Sequence, residues 1–189
     1  GKFGGAGGQV FADIIQDLRS KMASGPGPGL GRGCGLHGVA DVFAPGLSHM
    51  ADQLASALNE ALLVNDTASL AVPGGTTPGP IFDVLSAVDL DWGRVSVMLT
   101  DERWVPGTSD QSNTKLLKER LLVGKAASAG FVPFYKDGAA AQDCIAELTG
   151  DLAAHLPISV LVLGMGADMH TASLFPGADG LKEALQSTE

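Results

Sequence analysis

The run of residues 160–177, VLVLGMGADMHTASLFPG, constrains the fold more than any other stretch of this chain. It opens with apolar and β-branched residues, a pattern that predicts a fully buried strand. The strand breaks at Gly164 and Gly166, and an acid and an imidazole, Asp168 and His170, follow directly. Open α/β sheets bind ligands beyond the carboxyl ends of their strands, so this layout is typical of an active site. The alternative is a plain strand–loop–helix joint whose Asp and His are solvated.

The rest of the chain alternates predicted helices with predicted strands. The predicted helices cover residues 48–63, 78–88, 110–122 and 139–156, and the predicted strands cover residues 68–72, 94–100, 131–135 and 158–163. Ser48, Thr77 and Asp110 are the expected N-caps, since their side chains can accept hydrogen bonds from the first turn. Alternation of this kind predicts right-handed βαβ units, and therefore an α/β fold with a mainly parallel sheet flanked by helices.

The first 40 residues differ from this pattern. Residues 9–22 place apolar side chains on one helical face and predict a short amphipathic helix. The Gly/Pro-rich run SGPGPGLGRGCGLHG follows, and its composition is typical of a flexible linker. We therefore expect an N-terminal extension over residues 1–40 and one α/β domain over residues 41–189, which ends in a helical pattern without a further strand.

Charge and cysteine content exclude several classes of partner. The 189-residue chain has a formal net charge of −9, which argues against nucleic acid but leaves room for a local basic pocket that binds one small anion. It has no apolar run of about 18 residues and no signal-peptide pattern. Its two cysteines and four histidines lack metal-site spacing. We expect free thiols, a cytoplasmic protein, no metal and no cofactor; the oligomeric state stays open.

The first candidate loop, residues 74–78, follows the strand predicted over residues 68–72. Gly74 and Gly75 let the backbone approach a ligand, and Thr76 and Thr77 add hydroxyl donors. The helix N-terminus that follows offers unpaired N–H groups, so the loop suits a phosphate. It is not a Walker loop, because no Gly-Lys-Ser/Thr follows. The alternative is a tight turn with an ordinary threonine cap.

The second candidate loop, DERWVP at residues 101–106, follows the next strand. Asp101 could bind hydroxyls and Arg103 an anion, whereas Asn113 could either cap the next helix or face the same cleft. The alternative is a surface Glu–Arg pair beside a half-buried Trp104. All three loops follow strands of one parallel sheet, so they are expected at the same edge.

His170 of the third loop is the only histidine placed beyond a strand of this kind. A neutral imidazole there can take a proton from water and return it to a leaving group. Ser173 lacks the Gly-x-Ser-x-Gly context of a nucleophile, so a serine nucleophile is not expected.

Together the three loops resemble the 6-phosphogluconolactonase family. That family has a GGSTP-like loop, a DER-x-VP segment followed by Ser-Asn, and a G-x-G-x-DGHTASLFPG segment. The counterparts here are residues 74–78, residues 101–106 with Ser112 and Asn113, and residues 164–177, in the same order. The resemblance covers residues 48–177, and the HTASLFPG run is highly specific.

The resemblance implies metal-independent hydrolysis of 6-phosphoglucono-1,5-lactone to 6-phosphogluconate in the pentose phosphate pathway, on a Rossmann-like sheet shared with glucosamine-6-phosphate deaminases and ribose-5-phosphate isomerases. It implies that His170 is the general base. The implied site residues around it are Asp168 beside the base, Gly74, Gly75, Thr76 and Thr77 in the phosphate loop, and Asp101, Arg103, Asn113 and Gly166 in the cleft.

Two departures from the family pattern leave alternatives open. Met169 stands where the family has the glycine of DGH. The family's C-terminal part, with another strand and basic residues near the phosphate, has no counterpart after Glu189. One alternative is a phosphosugar-binding protein of the same fold without turnover. The other is a deaminase-like isomerase, although that branch has a Glu where this sequence has Phe175.

Overall fold

The computed structural model describes residues 45–177 and 181. The helix predicted over residues 9–22, the Gly/Pro-rich run and the domain start near residue 41 lie outside the described residues. Most of the C-terminal helical pattern also lies outside them, apart from Leu181, which is helical.

The helices and strands alternate in the described part of the chain. They are α1 (Pro45–Val64), β1 (Ala68–Val72), α2 (Gly79–Leu85), β2 (Val95–Leu99), α3 (Asn113–Arg120), β3 (Gly130–Val132), α4 (Ile145–Ala153) and β4 (Val160–Leu161). Short 3-10 helices lie at Trp92–Arg94, Gly124–Ser128 and Ala141–Cys144. No helix in this described region is long and apolar enough to span a bilayer.

The strands form a four-stranded sheet in the order β3-β2-β1-β4. Each neighbouring pair is parallel, with Leu70 aligned to Val97 on one side and to Val160 on the other. This confirms the predicted parallel α/β sheet. The chain moves outward from β1 to β3 and then returns to the other side of β1, so the strand order reverses between β1 and β4. In open α/β sheets, ligands bind at such a reversal.

The core lies on the apolar faces that the sequence predicted. The α1 positions Ala51, Leu54, Leu58 and Leu62, spaced three and four residues apart, are buried, and α1 packs against α2, β1 and β4. Helix α1 begins at Pro45, however, so the predicted cap Ser48 is an exposed residue of the first turn. Proline suits a helix start because its fixed φ is already helical.

Two other predicted N-caps are wrong. Helix α2 begins at Gly79 after Pro78, and Thr77 does not cap it. Helix α3 is capped by Ser112, whose hydroxyl accepts a hydrogen bond from the Thr114 amide, whereas Asp110 pairs with Lys115 at the surface. Asp110 lies two residues before this cap, and the carboxylate that accepts hydrogen bonds from the first turn of α3 is that of Glu102.

The elements predicted over residues 131–135, 139–156 and 158–163 are shorter in the structure. Strand β3 ends before Pro133, which has no N–H for the ladder. The helix predicted over residues 139–156 is a 3-10 turn followed by α4, which continues across Gly150. Strand β4 has two residues at the edge of the described sheet, and Leu161 and Leu163 are 53% and 55% exposed, so the prediction of a fully buried strand is wrong.

Candidate functional site

All three candidate loops lie at the carboxyl edge of the sheet, because the strands before them are parallel. The loop after β4 passes the loop after β1: a Cβ atom added to Gly164 would lie 3.7 Å from Pro73. The loop after β4 also reaches the loop after β2, since Ser173 Oγ donates a hydrogen bond to Asp101 Oδ2 at 2.8 Å. The structure therefore brings the three loops together at the strand-order reversal.

The loop after β1 is open to solvent at its tip. Gly75, Thr76 and Thr77 are exposed, and Gly75 has a φ of 85°, which favours glycine. Gly74 lies against the carboxamide of Asn113, because an added Cβ would be 2.0–2.2 Å from its side-chain atoms. The backbone of this loop is thus packed from one side and accessible from the other.

Asn113 joins the first two loops. Its side chain is buried, donates a hydrogen bond from Nδ2 to the Asp101 carbonyl at 3.1 Å, and accepts one from Arg103 Nη1 at 3.3 Å. Arg103 Nη1 also donates to the carbonyl of Gln111 at 2.8 Å, while the residue as a whole is exposed. Asn113 does not cap α3, because Ser112 has that role, and its carboxamide instead contacts Arg103 and Asp101.

Glu102 is not a surface partner of the Arg103 guanidinium, which is the alternative that the sequence left open. It is buried, and its carboxylate accepts hydrogen bonds from the first turn of α3. Trp104 is half-buried, as that alternative had it, and its Nε1 donates to the carbonyl of Ala139. The alternation of side chains along an extended segment does not predict the burial of Glu102, because side chains on both faces of the preceding strand β2 are buried.

His170 is held on three sides within the loop after β4. Its Nδ1 contacts Asp168 Oδ1, and its ring stacks on Phe175 with centroids 4.4 Å apart. A Cβ atom added to Gly166 would lie 2.2 Å from the imidazole, so only glycine permits this close approach. The contacts of Ser173 and Phe175 were not predicted, because a periodic pattern gives no information about contacts within an irregular loop.

The hydrogen bond with His170 lowers the pKa of Asp168. Asp168 is therefore an ionised carboxylate at neutral pH and can only accept hydrogen bonds. Because the carboxylate only accepts, Nδ1 of His170 carries the proton of this hydrogen bond, and Nε2 is the ring nitrogen left to accept a proton. The side chain of His170 is 31% exposed, so the imidazole is accessible to solvent.

Met169, next to His170, has a φ of 68° and a side chain that is 70% exposed. This is the left-handed region, which glycine adopts without a steric penalty. Met169 therefore has a backbone conformation that favours glycine, the residue that the family pattern has at this position.

The described residues contain no group of three or more His, Cys, Asp or Glu side chains that could hold a metal ion. Cys144, predicted to be a packing residue of the core, is buried and free.

Comparison with known proteins identifies relatives of this chain. Residues 46–188 match the family model described as "Glucosamine-6-phosphate isomerases/6-phosphogluconolactonase". A 6-phosphogluconolactonase of Rhizobium meliloti is 46% identical over 140 residues, which are 74% of this chain and 60% of that protein. One of Pseudomonas aeruginosa is 44% identical over 158 residues, 82% of this chain and 64% of that protein. The chain thus spans less than two thirds of the length of these relatives.

Solved structures agree with this match. The crystal structure of a 6-phosphogluconolactonase from Shewanella baltica superposes with a TM-score of 0.70 at 37% identity, covering 78% of this chain and 64% of that one. The enzyme from Thermotoga maritima, at 24% identity and a TM-score of 0.62, shares the fold.

Proposed function

The chain belongs to the glucosamine-6-phosphate isomerase/6-phosphogluconolactonase family, and from this membership we propose that it hydrolyses 6-phosphoglucono-1,5-lactone to 6-phosphogluconate in the pentose phosphate pathway. The single observation that carries the proposal is His170, held by Asp168 at the reversal of strand order with Nε2 available as a base. The names of the relatives described above agree with this chemistry.

The reaction needs one base that acts twice. Nε2 of His170 takes a proton from water as the water oxygen bonds to the lactone carbonyl carbon. We assign the stabilisation of the negative charge that develops on the carbonyl oxygen to backbone N–H groups of the glycine loop after β1. When the bond between that carbon and the ring oxygen breaks, the imidazolium returns the proton to the ring oxygen. Asp168 stabilises the imidazolium between these steps through its contact with Nδ1.

The phosphate end of the substrate is assigned to the loop after β1 and to Arg103. The exposed backbone and hydroxyl groups of Gly75, Thr76 and Thr77 offer hydrogen-bond donors, and the guanidinium of Arg103 supplies positive charge on a chain with a net charge of −9. Holding the phosphate fixes the distance between the lactone carbonyl and His170, so binding energy is used for orientation.

Replacement of Arg103 with methionine is expected to raise KM for the lactone about 10–100-fold and to change kcat less than about threefold, because a charge-assisted hydrogen bond to phosphate forms before the reaction and persists through it. Initial rates over a range of lactone concentrations measure both constants. Lys125→Met is the matched control, since Lys125 forms a surface pair with Asp89. An unchanged KM in Arg103→Met would remove Arg103 from the phosphate site.

The second candidate is a phosphosugar-binding protein without turnover, and one observation favours it: Met169 has a positive φ beside the base. Met169→Gly is expected to raise the free energy of unfolding by about 1 kcal/mol, because it removes a left-handed non-glycine residue. If the protein hydrolyses the lactone, Met169→Gly is expected to change kcat less than about threefold, because His170 keeps its contacts. Calorimetry and lactone assays measure the two effects.

Met165→Gly is the control for this prediction, since Met165 is similarly exposed but has no positive φ. It should lower stability by about 0.5–1 kcal/mol through the added freedom of the unfolded chain. Turnover that arises only in Met169→Gly would favour the candidate without turnover.

The isomerase alternative needs a protein base that removes a proton from the sugar carbon next to the carbonyl. Phe175 stacks on His170 at the position where the deaminase branch has its Glu, and a phenyl ring cannot supply that base. The same proposal includes a small-molecule partner, the phosphosugar lactone. It also includes a cytoplasmic location, which the free and buried thiol of Cys144 supports.

A further inference from the structure

Glu102 is a buried carboxylate next to Asp101 and Arg103, and it has no role in the proposed reaction. It is 6% exposed, although it stands between Asp101, which is half-buried, and Arg103, which is exposed. Burying a carboxylate is costly unless hydrogen bonds compensate for the lost water. The partners of Glu102 therefore indicate what the residue does.

Five donors surround this carboxylate. Oε1 accepts hydrogen bonds from Arg103 N at 2.7 Å and Asn113 N at 2.8 Å, and Oε2 accepts from Ser112 Oγ at 3.0 Å, Thr114 N at 2.8 Å and Thr114 Oγ1 at 2.7 Å. A carboxylate has about four lone-pair sites, so its accepting capacity is filled. Glu102 is thus already fully engaged and is not placed to act as a base.

These bonds fix one end of α3 to the loop after β2. Two of the donors are amides of the first turn of the helix, where a negative charge also interacts favourably with the helix dipole. A third is the amide of Arg103 itself. The carboxylate therefore sets the position of the Arg103 backbone relative to the start of α3.

The side-chain contacts of Arg103 depend on the same segment. Its guanidinium donates to the Asn113 carboxamide and to the carbonyl of Gln111. Glu102 binds the amide of Asn113, and it binds the hydroxyl of Ser112, which follows Gln111. The Asn113 carboxamide also lies against Gly74 in the loop after β1. A displacement of the start of α3 would thus move the guanidinium relative to that loop.

We propose that Glu102 is a positioning residue, which orients Arg103 and Asn113 toward the phosphate of the substrate. This rests on the proposed function, because the phosphate is the target assigned to Arg103. A positioning role toward the phosphate affects substrate binding more than turnover, since His170 is held by contacts within its own loop.

The test is Glu102→Gln, which keeps the shape but places an NH2 group against donors. We expect KM for the lactone and Kd for 6-phosphogluconate to rise about tenfold, with kcat within about threefold. The NMR resonances of Arg103 Nε–H and of the Asn113 side-chain amide should shift, and Tm should fall. The control is Glu119→Gln, an exposed glutamate of the same helix that pairs with Lys115, which should change none of these values.

Wild-type KM and unshifted Arg103 and Asn113 resonances in folded Glu102→Gln would overturn the proposal, as would a loss of kcat at constant KM. If Glu102→Gln does not fold, Glu102→Asp takes its place: it keeps the charge but is one methylene too short to reach all five donors, and the same changes are expected. If the wild-type protein does not hydrolyse the lactone, the proposed function fails, and the resonances of the free protein still decide whether Glu102 orients Arg103.

Discussion

Replacing His170 with alanine is expected to lower kcat for lactone hydrolysis by about 10²–10⁴-fold, the range in which a positioned general acid–base contributes. The physical reason is the state of the Asp168–His170 pair. The lowered pKa of Asp168 keeps its carboxylate ionised, the carboxylate holds the proton on Nδ1, and Nε2 is left to accept a proton from water. Alanine removes the base and the proton donor for the ring oxygen in one step.

The measurement must separate enzymatic from spontaneous opening, because a δ-lactone hydrolyses in water without a catalyst. Freshly made 6-phosphogluconolactone is followed with and without protein, and the rate without protein is subtracted. His49→Ala is the matched control, since His49 is exposed on α1 and is expected to have no role. Equal rates for the wild type and His170→Ala would remove His170 from the reaction. Binding of 6-phosphogluconate should survive in His170→Ala, which shows that the variant is folded.

The features that the sequence predicted well are those set by periodic burial. Strand β1 has its predicted bounds, and the apolar face of α1 is the predicted one, because hydrophobic spacing along a helix or strand directly reflects the side that packs. The parallel sheet followed from the alternation of these elements. Once the sheet was parallel, the convergence of the loops after β1, β2 and β4 was a geometric consequence.

The features that the sequence did not predict depend on contacts between residues far apart in the chain. Asp110 was the expected cap of α3, but Glu102 from the preceding loop supplies the carboxylate, and no local pattern contains that information. In the same way, Ser173 reaches Asp101 across 72 residues. The exposure of Leu161 was missed because an apolar, β-branched run does not distinguish a central strand from one at the edge of a sheet.

Gly166→Ala is expected to lower kcat about 100-fold with little change in KM. Glycine at this position lets the backbone lie against the His170 ring, and an added methyl group would be 2.2 Å from the imidazole and 2.7 Å from Asp168 Oδ1. The imidazole is the end of a side chain and can move away, so the protein should fold with its base displaced. A displacement of about 1 Å is enough for a 100-fold loss. The loop after β1 and Arg103, which we propose to bind the phosphate, are not expected to move, so KM should change little.

Gly150→Ala separates this effect from the general consequences of replacing a glycine. Gly150 lies inside α4, and nothing is within 4 Å of the position of its Cβ. Alanine there is expected to raise the free energy of unfolding by about 0.5–1 kcal/mol and to leave kcat unchanged, because alanine favours the helix more than glycine does. Full activity in Gly166→Ala would mean that the imidazole reacts from a different place than the structure gives it. Nδ1 contacts Asp168 only in the ring position that the structure shows. An imidazole that reacts from another position would lose this contact, and the argument for Nε2 as the base would be lost with it.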